Sequence, residues 1–393
     1  MASFLLVVLI AQAHLTGKPV RLGHRPEARG APPRSAAIAS LPVSAQHPRA
    51  DAADAWFEAA VQHCESCVVR GHGELSAEVP RLLRATLDAD FERFVLRASH
   101  KSVQNVTCMQ PAQAGSGSQL FDNELIGLSL RHGRVCGGGD CCDACSRVLL
   151  PGLVTPAESA AFRERLTAIM EPADMYPHHN LYLSACSAVG DVRTTLLYIR
   201  LVERMRRAVA YEYGLQLDRV APRQTFVSRI TGVAGDEARQ SVHTDEGSCA
   251  TYHYSGVLYL STQHEDFEGG AFSFTDPPGA DDRSRDSGDR RITPLSPSSG
   301  LAVIFSSGWE NMHFVEPVVS GCRHAVPVFF VTHADEQPQS DHLADDVSIA
   351  KALWRSALMP TAEEDCRRFL RQWHQIIAPG SSVSCAHEIL LER

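Results

Sequence analysis

Apart from a short stretch at its start, the chain holds no continuous apolar run approaching the roughly 20 residues needed to cross a bilayer. No segment after the N-terminus therefore reads as a transmembrane helix. It also has no glycine-rich phosphate loop opening a helical pattern, so nucleotide binding has no support. Cations are in the minority, with 37 Lys and Arg against 46 Asp and Glu for a net charge of −9. Affinity for nucleic acid rests on neutralising phosphates with basic side chains, and this balance excludes it as a general property. No segment repeats internally, which removes solenoids and propellers from consideration.

The N-terminus and the cysteines bear on location. Residues 1–17 carry no charged side chain before Lys18, centre on the apolar run Phe4–Ile10 and end in an Ala11-Gln12-Ala13 motif suited to signal peptidase. The run is short for a span, so a cleaved signal is expected ahead of an N-terminal membrane anchor. Residues 18–50 are rich in Arg, Pro, Ala and Ser, and read as a disordered linker. The same composition suits a plastid transit peptide, leaving a bipartite plastid signal as the alternative to the endoplasmic reticulum or Golgi lumen. Seven of the 12 cysteines precede residue 146: Cys64, Cys67, Cys108, Cys136, Cys141, Cys142 and Cys145. Their two C-x-x-C pairs could in principle bind zinc, but lie far apart for a zinc ribbon. With an entry signal ahead of them, disulfides are the expectation, with a zinc site or redox pair as alternatives. Asn105-Val106-Thr107 is a glycosylation acceptor consistent with the same compartment.

The chemistry sits further on. Eighteen histidines among many carboxylates give about one His-x-Asp by chance; the chain has three, His243/Asp245, His264/Asp266 and His333/Asp335. His333 has no downstream His followed by Gly-x-Arg. His264 lies in a polar segment ending in Gly269-Gly270, which reads as a loop after a strand. His243 stands between two runs of β-formers, Gln224–Ile230 and Tyr254–Leu260, and ligands on stiff elements keep their geometry when the metal leaves. The second half has the same grammar. Gly300–Ser307 is a short apolar strand pattern, His313 opens the next strand, and Arg323 follows ten residues later. Ser320-Gly321 is expected to turn the chain between Val315–Val319 and a strand over Arg323–Val331, with Pro327 placing that strand at an edge or bulge. Strands of this length with regular turns indicate a sandwich or barrel. Two imidazoles and one carboxylate are the ligand set of a facial Fe(II) triad with three open positions, and a cation beyond the second histidine suits the far carboxylate of a chelating 2-oxo acid.

From His243 to Val331 these residues resemble the prolyl 4-hydroxylase-like Fe(II)/2-oxoglutarate dioxygenases, over about residues 147–333. The resemblance implies a mainly β catalytic domain, a distorted double-stranded β-helix (jelly roll) with flanking α-helices. It implies His243, Asp245 and His313 as iron ligands. Arg323 would bind the 2-oxoglutarate C5 carboxylate, with the Tyr259 hydroxyl either aiding it or packing in the core. It further implies Fe(II), 2-oxoglutarate, O2 and L-ascorbate, and hydroxylation of C–H bonds, with prolyl residues of secretory-pathway proteins as substrate. An oxygenase acting on another side chain or a small molecule, or a non-catalytic cupin-like metal barrel, are the alternatives. The polar stretch from Pro277 to Arg291 reads as an enlarged hairpin loop.

Helices flank this domain. Thr155-Pro156-Ala157-Glu158 is a capping box opening a helix to about Met170, and a second runs from about Val192 to Tyr213 with Gly214 as its stop. The segment 51–146 reads as a helical, Cys-rich module, and 334–393 as an extension whose helix opens at Thr361-Ala362-Glu363-Glu364.

Overall fold

The computed structural model describes residues 48–70, 78–108, 127–129, 131, 145–170, 178–182, 192–232, 240–276 and 290–332. The signal or anchor, most of the linker, Cys136, Cys141, Cys142, the side chains of Cys64 and Cys67, the centre of the long hairpin loop, His333 and the C-terminal extension lie outside the described residues.

Among the described residues twelve strands form two antiparallel sheets. The larger contains β1 (Ser102–Gln104), β2 (Arg147–Leu150), β3 (His178–Tyr182), β4 (Ala221–Thr231), β6 (Tyr254–Tyr259), β10 (Ala302–Ser306) and β12 (Val318–Val331), in the order β1-β2-β10-β6-β12-β4-β3. The short β7 (Phe267–Gly269) pairs with the start of β12. The smaller sheet runs β5-β11-β8-β9, from β5 (Gln240–His243), β8 (Phe272–Asp276), β9 (Arg291–Leu295) and β11 (His313–Val315). β8 and β9 pair from Phe272/Leu295 to Asp276/Arg291, so the polar insertion hangs from a true hairpin.

Alternation along the strands decides which side chain meets which layer. In β12, Val326, Val328 and Phe330 point to one face, while Arg323, Ala325, Pro327 and Phe329 point to the other and line a cavity. In β10, Ala302 and Ile304 face outward while Val303 and Phe305 face the smaller sheet. The outward face is covered by helices: α1 (Pro48–Arg70), α2 (Glu78–Asp90) continued by a π-turn over Phe91–Leu96, α3 (Pro156–Met170) and α4 (Val192–Glu212). Phe57, Val61, Leu83, Leu87 and Phe94 of the N-terminal helices share one apolar core with Leu201, Met205 and Val209 of α4 and with the sheet. The predicted capping box is present. Thr155 N–H donates to Glu158 Oε2 at 3.0 Å, and Glu158 N–H donates back to Thr155 Oγ1 at 3.2 Å. Gly214 ends α4 with φ of 63°, a left-handed conformation cheap only for glycine.

Two expectations are corrected. Ser320-Gly321 does not separate two strands; β12 runs through it and changes partners there, pairing with β7 up to Gly321 and with β4 from Cys322. The positive φ of Gly321 that suggested a turn serves a kink inside the strand instead. Pro327 is not at an edge, for β12 has β6 on one side and β4 on the other. The pairing with β4 skips Val326 and Pro327, and the Thr225 hydroxyl donates to the Pro327 carbonyl at 3.0 Å. A side chain thus satisfies the Pro327 carbonyl where the backbone ladder to β4 is interrupted.

Candidate metal and co-substrate site

β5 and β11 are neighbours, and their register sets His243 directly opposite His313. Asp245 opens the single helical turn Asp245–Ser248, whose cap is the Thr244 hydroxyl accepting from Gly247 N–H. That turn swings the carboxylate back between the two rings. Asp245 Oδ1 lies 3.6 Å from His243 Nε2 and 3.6 Å from His313 Nε2, and one donor atom from each residue falls within 4.8 Å of the others. Among the described residues no other group of three His, Cys, Asp or Glu side chains converges this way.

Both imidazoles are oriented by the chain itself. His243 Nδ1 meets Ser241 O at 2.7 Å and His313 Nδ1 meets Asn311 O at 2.8 Å. A carbonyl only accepts, so each Nδ1 carries the hydrogen, leaving each Nε2 lone pair to face the common point, as a metal ligand requires. Burial holds His313 neutral, its pKa lowered to about 4 despite the adjacent Asp245 carboxylate. Burial works against charge on Asp245 as well, but His313 and His243 outweigh it and keep the carboxyl below its ordinary range. A neutral ring and an ionised carboxylate are the forms that bind Fe(II).

The cavity beside the triad has a volume of about 270 Å³ and contains Arg323 in its wall. Arg323 is 3% exposed, donates from Nε to Gly270 O at 3.1 Å and has its guanidinium 5.3 Å from the Tyr259 ring centroid. Burial lowers its pKa, and no carboxylate pairs with it among the described residues. The Tyr259 hydroxyl is fully buried and faces the Arg323 guanidinium, whose charge pulls against the burial that raises the phenol. A buried cation with a tyrosine hydroxyl and no counter-charge beside it is costly unless a ligand completes the pair. A carboxylate does so, and the donor set of the triad suits Fe(II); the residues fit both groups.

The other sequence candidates fall elsewhere. His264 is 68% exposed in its side chain and pairs with Glu268, and Asp266 pairs with Arg163, so neither reaches the triad. Asn105 is exposed and lies outside the cavity lining. Cys108 and Cys145 have their sulfurs 1.99 Å apart. Sequence reasoning missed the polar layer behind the triad: Arg147, Asn311, Glu310, Arg131 and Glu246, all buried. Arg131 pairs with Glu310, and burial raises the Glu246 carboxyl to about 8 against the pull of Arg131. Their contacts join residues up to 179 positions apart and carry no local signal.

Two sheets backed by helices, with a His-Asp-His triad at a cavity, are the arrangement of non-haem iron oxygenases. Residues 227–331 match the 2OG-Fe(II) oxygenase superfamily, and the chain carries a domain of that family. The domain is homologous to 2-oxoglutarate and iron-dependent oxygenase domain-containing protein 3 of Homo sapiens. That relative is 29% identical over 143 residues, covering 35% of this chain and 41% of the relative. Prolyl 3-hydroxylase 1 of Gallus gallus is 35% identical over 111 residues, 28% of this chain and 13% of that protein. The chain therefore spans about two fifths or less of the length of these curated relatives. A solved prolyl-4-hydroxylase from Pseudomonas putida aligns with 52% of this chain and 99% of its own at 15% identity, with a TM-score of 0.35.

Proposed function

We propose that the protein is an Fe(II)- and 2-oxoglutarate-dependent dioxygenase that hydroxylates prolyl residues of protein substrates in a secretory compartment. We read the two facing sheets as the family's double-stranded β-helix. The observation carrying the reading is that the triad and Arg323, a buried cation with the Tyr259 hydroxyl beside it, line one cavity. His243, Asp245 and His313 would hold the iron, which when bound supplies oxidative decarboxylation of 2-oxoglutarate to succinate coupled to C–H hydroxylation. Arg323 and Tyr259 would take the C5 carboxylate and fix the co-substrate's direction. The aromatic residues Phe226, Tyr252 and Phe329 at the wall of the cavity keep it apolar toward the substrate side. The prolyl assignment is supported by the names of the relatives, and the carbon hydroxylated, C3 or C4, is read by the assay. L-ascorbate is expected to sustain turnover. The lumenal placement, in endoplasmic reticulum or Golgi, is supported by the N-terminal apolar segment and by the proximity of Cys108 and Cys145.

The test is succinate release from 2-oxoglutarate with Fe(II), alone and with proline-containing peptides, followed by mass spectrometry of the peptide. His243→Ala, Asp245→Ala and His313→Ala should each abolish it, since two protein ligands hold a labile ion poorly. His264→Ala and His333→Ala should leave it intact. Metal binding without any succinate under all substrates would favour the inert cupin-like barrel, and activity in His243→Ala would refute the site.

A further inference from the structure

We propose that Asn311, clamped by Arg147, is the positioning residue for His313. This rests on the iron-site reading above. The two histidines are supported differently. The carbonyl that orients His243 belongs to Ser241, an exposed residue of the edge strand β5. The carbonyl that orients His313 belongs to Asn311, which is fully buried in the turn Trp309–Asn311. Its side chain is saturated. Asn311 Nδ2 donates to Ser306 O at 3.1 Å, Ser306 Oγ at 2.9 Å and Cys145 O at 3.2 Å, while Oδ1 accepts from Arg147 Nε at 2.7 Å. One carboxamide thus ties the turn to the end of β10 and to the residues entering β2.

Arg147 completes the clamp. It is 2% exposed, donates from Nη2 to Asp276 Oδ1 at 2.6 Å and lies 3.8 Å from the centroid of the Phe274 ring. Phe274 is the register partner of His313 across β8 and β11. Arg147 therefore fixes both the carbonyl that orients the imidazole and an aromatic ring against it. A side chain that merely filled space would need neither four hydrogen bonds nor a planar donor at Asn311; the geometry resists rotation of the turn and hence of the His313 ring.

Anaerobic titration with Co(II), followed by its ligand-field absorption, tests this without turnover. Asn311→Ala should weaken Co(II) binding about 10- to 100-fold and alter the band shape. Arg147→Lys keeps the charge but loses the contact to Asn311, and should move affinity and spectrum in the same direction by less. Phe162→Leu, a core change in the helical layer, serves as the stability control and should lower Tm without touching the Co(II) signal. Variants that melt earlier yet bind Co(II) with wild-type affinity and spectrum would reduce the network to a structural one and overturn the proposal. Should Asn311→Ala fail to fold, Arg147→Lys decides by the same readout. A wild type that takes no Co(II) sinks the iron reading and this assignment together, whereas equal binding by wild type and variants sinks this assignment alone.

Discussion

Arg323 and Tyr259 make separable predictions for co-substrate binding, metal binding and stability. Truncating one member of a desolvated, charge-assisted pair costs about 2–5 kcal/mol. Arg323→Ala should therefore raise the 2-oxoglutarate requirement on the order of 30-fold or more, at about 1.4 kcal/mol per tenfold. Metal affinity should stay put, since the guanidinium is not a ligand. Arg323→Lys should be milder, because it keeps the charge and loses the fork. Tyr259→Phe removes a buried hydroxyl that faces the Arg323 guanidinium and not a carboxylate, so the free protein should change little in stability. With the co-substrate bound the same change deletes a donor to a carboxylate, worth about 1.5–3 kcal/mol, and should weaken binding by roughly tenfold or more. Following the visible charge-transfer band of the anaerobic Fe(II) protein during 2-oxoglutarate titration, beside thermal melts, separates the effects. A Tyr259→Phe protein that melts earlier and binds normally would return this residue to the core.

At the level of elements, β12 carries Arg323, the cation proposed for the co-substrate, two residues beyond the kink at Gly321. Gly321 adopts φ of 75°, and an added Cβ would come within 2.2 Å of Asp266 O, a backbone atom that cannot swing away. Gly321→Ala should cost about 1–3 kcal/mol in backbone strain alone and, by shifting Arg323 two residues on, should weaken 2-oxoglutarate binding more than Co(II) binding. Equal losses of both would mean the strand moves as a whole. The same strand shows what a sequence conveys. His243, Asp245, His313 and Arg323 were legible because metal and carboxylate chemistry admits few residue types and the spacings are local to two strand pairs. Five of the twelve described strands, β4, β6, β10, β11 and β12, were legible through runs of β-formers bounded by turn residues, and the helices over 156–170 and 192–212 through capping and the glycine stop. The kink at Gly321 was read as a turn because positive φ serves both. Pro327 was assigned to an edge or a bulge because a missing donor is all that a proline shows in sequence, and the Thr225 hydroxyl that takes up its carbonyl lies a strand away. Asn311 and Arg147 were invisible, being ordinary residue types whose meeting across 164 positions only the fold creates.

Across the whole molecule, the helices are fastened to the oxygenase sheet by buried charge as well as by apolar contact. Arg204 of α4 donates to Asp90 Oδ2 at 2.9 Å, Glu158 Oε1 at 2.6 Å and the Leu153 carbonyl at 3.1 Å, joining α2, α3 and the loop before α3. Arg200 holds the same Asp90 through Nε at 2.7 Å and Nη2 at 2.8 Å. Burial alone would raise both carboxyls, but Arg204 and Arg200 outweigh it, holding Asp90 below its ordinary range and Glu158 at about 2 against a usual 4.5. A carboxyl whose folded pKa is depressed binds fewer protons in the folded than in the unfolded chain. Its contribution is complete above the unfolded pKa and is lost as pH falls toward the folded one, here from about 4.5 down to about 2. Glu158 alone accounts for on the order of 3 kcal/mol at neutral pH. Glu158→Gln should lower Tm near neutrality, since it leaves Arg204 half-compensated in a buried site. It should also flatten the fall of Tm between about pH 5 and pH 3, because the group that titrates there is gone. Melting curves for wild type and variant across that range decide it: parallel falls would show that acid unfolding is driven from elsewhere and that this junction does not set the protein's acid limit.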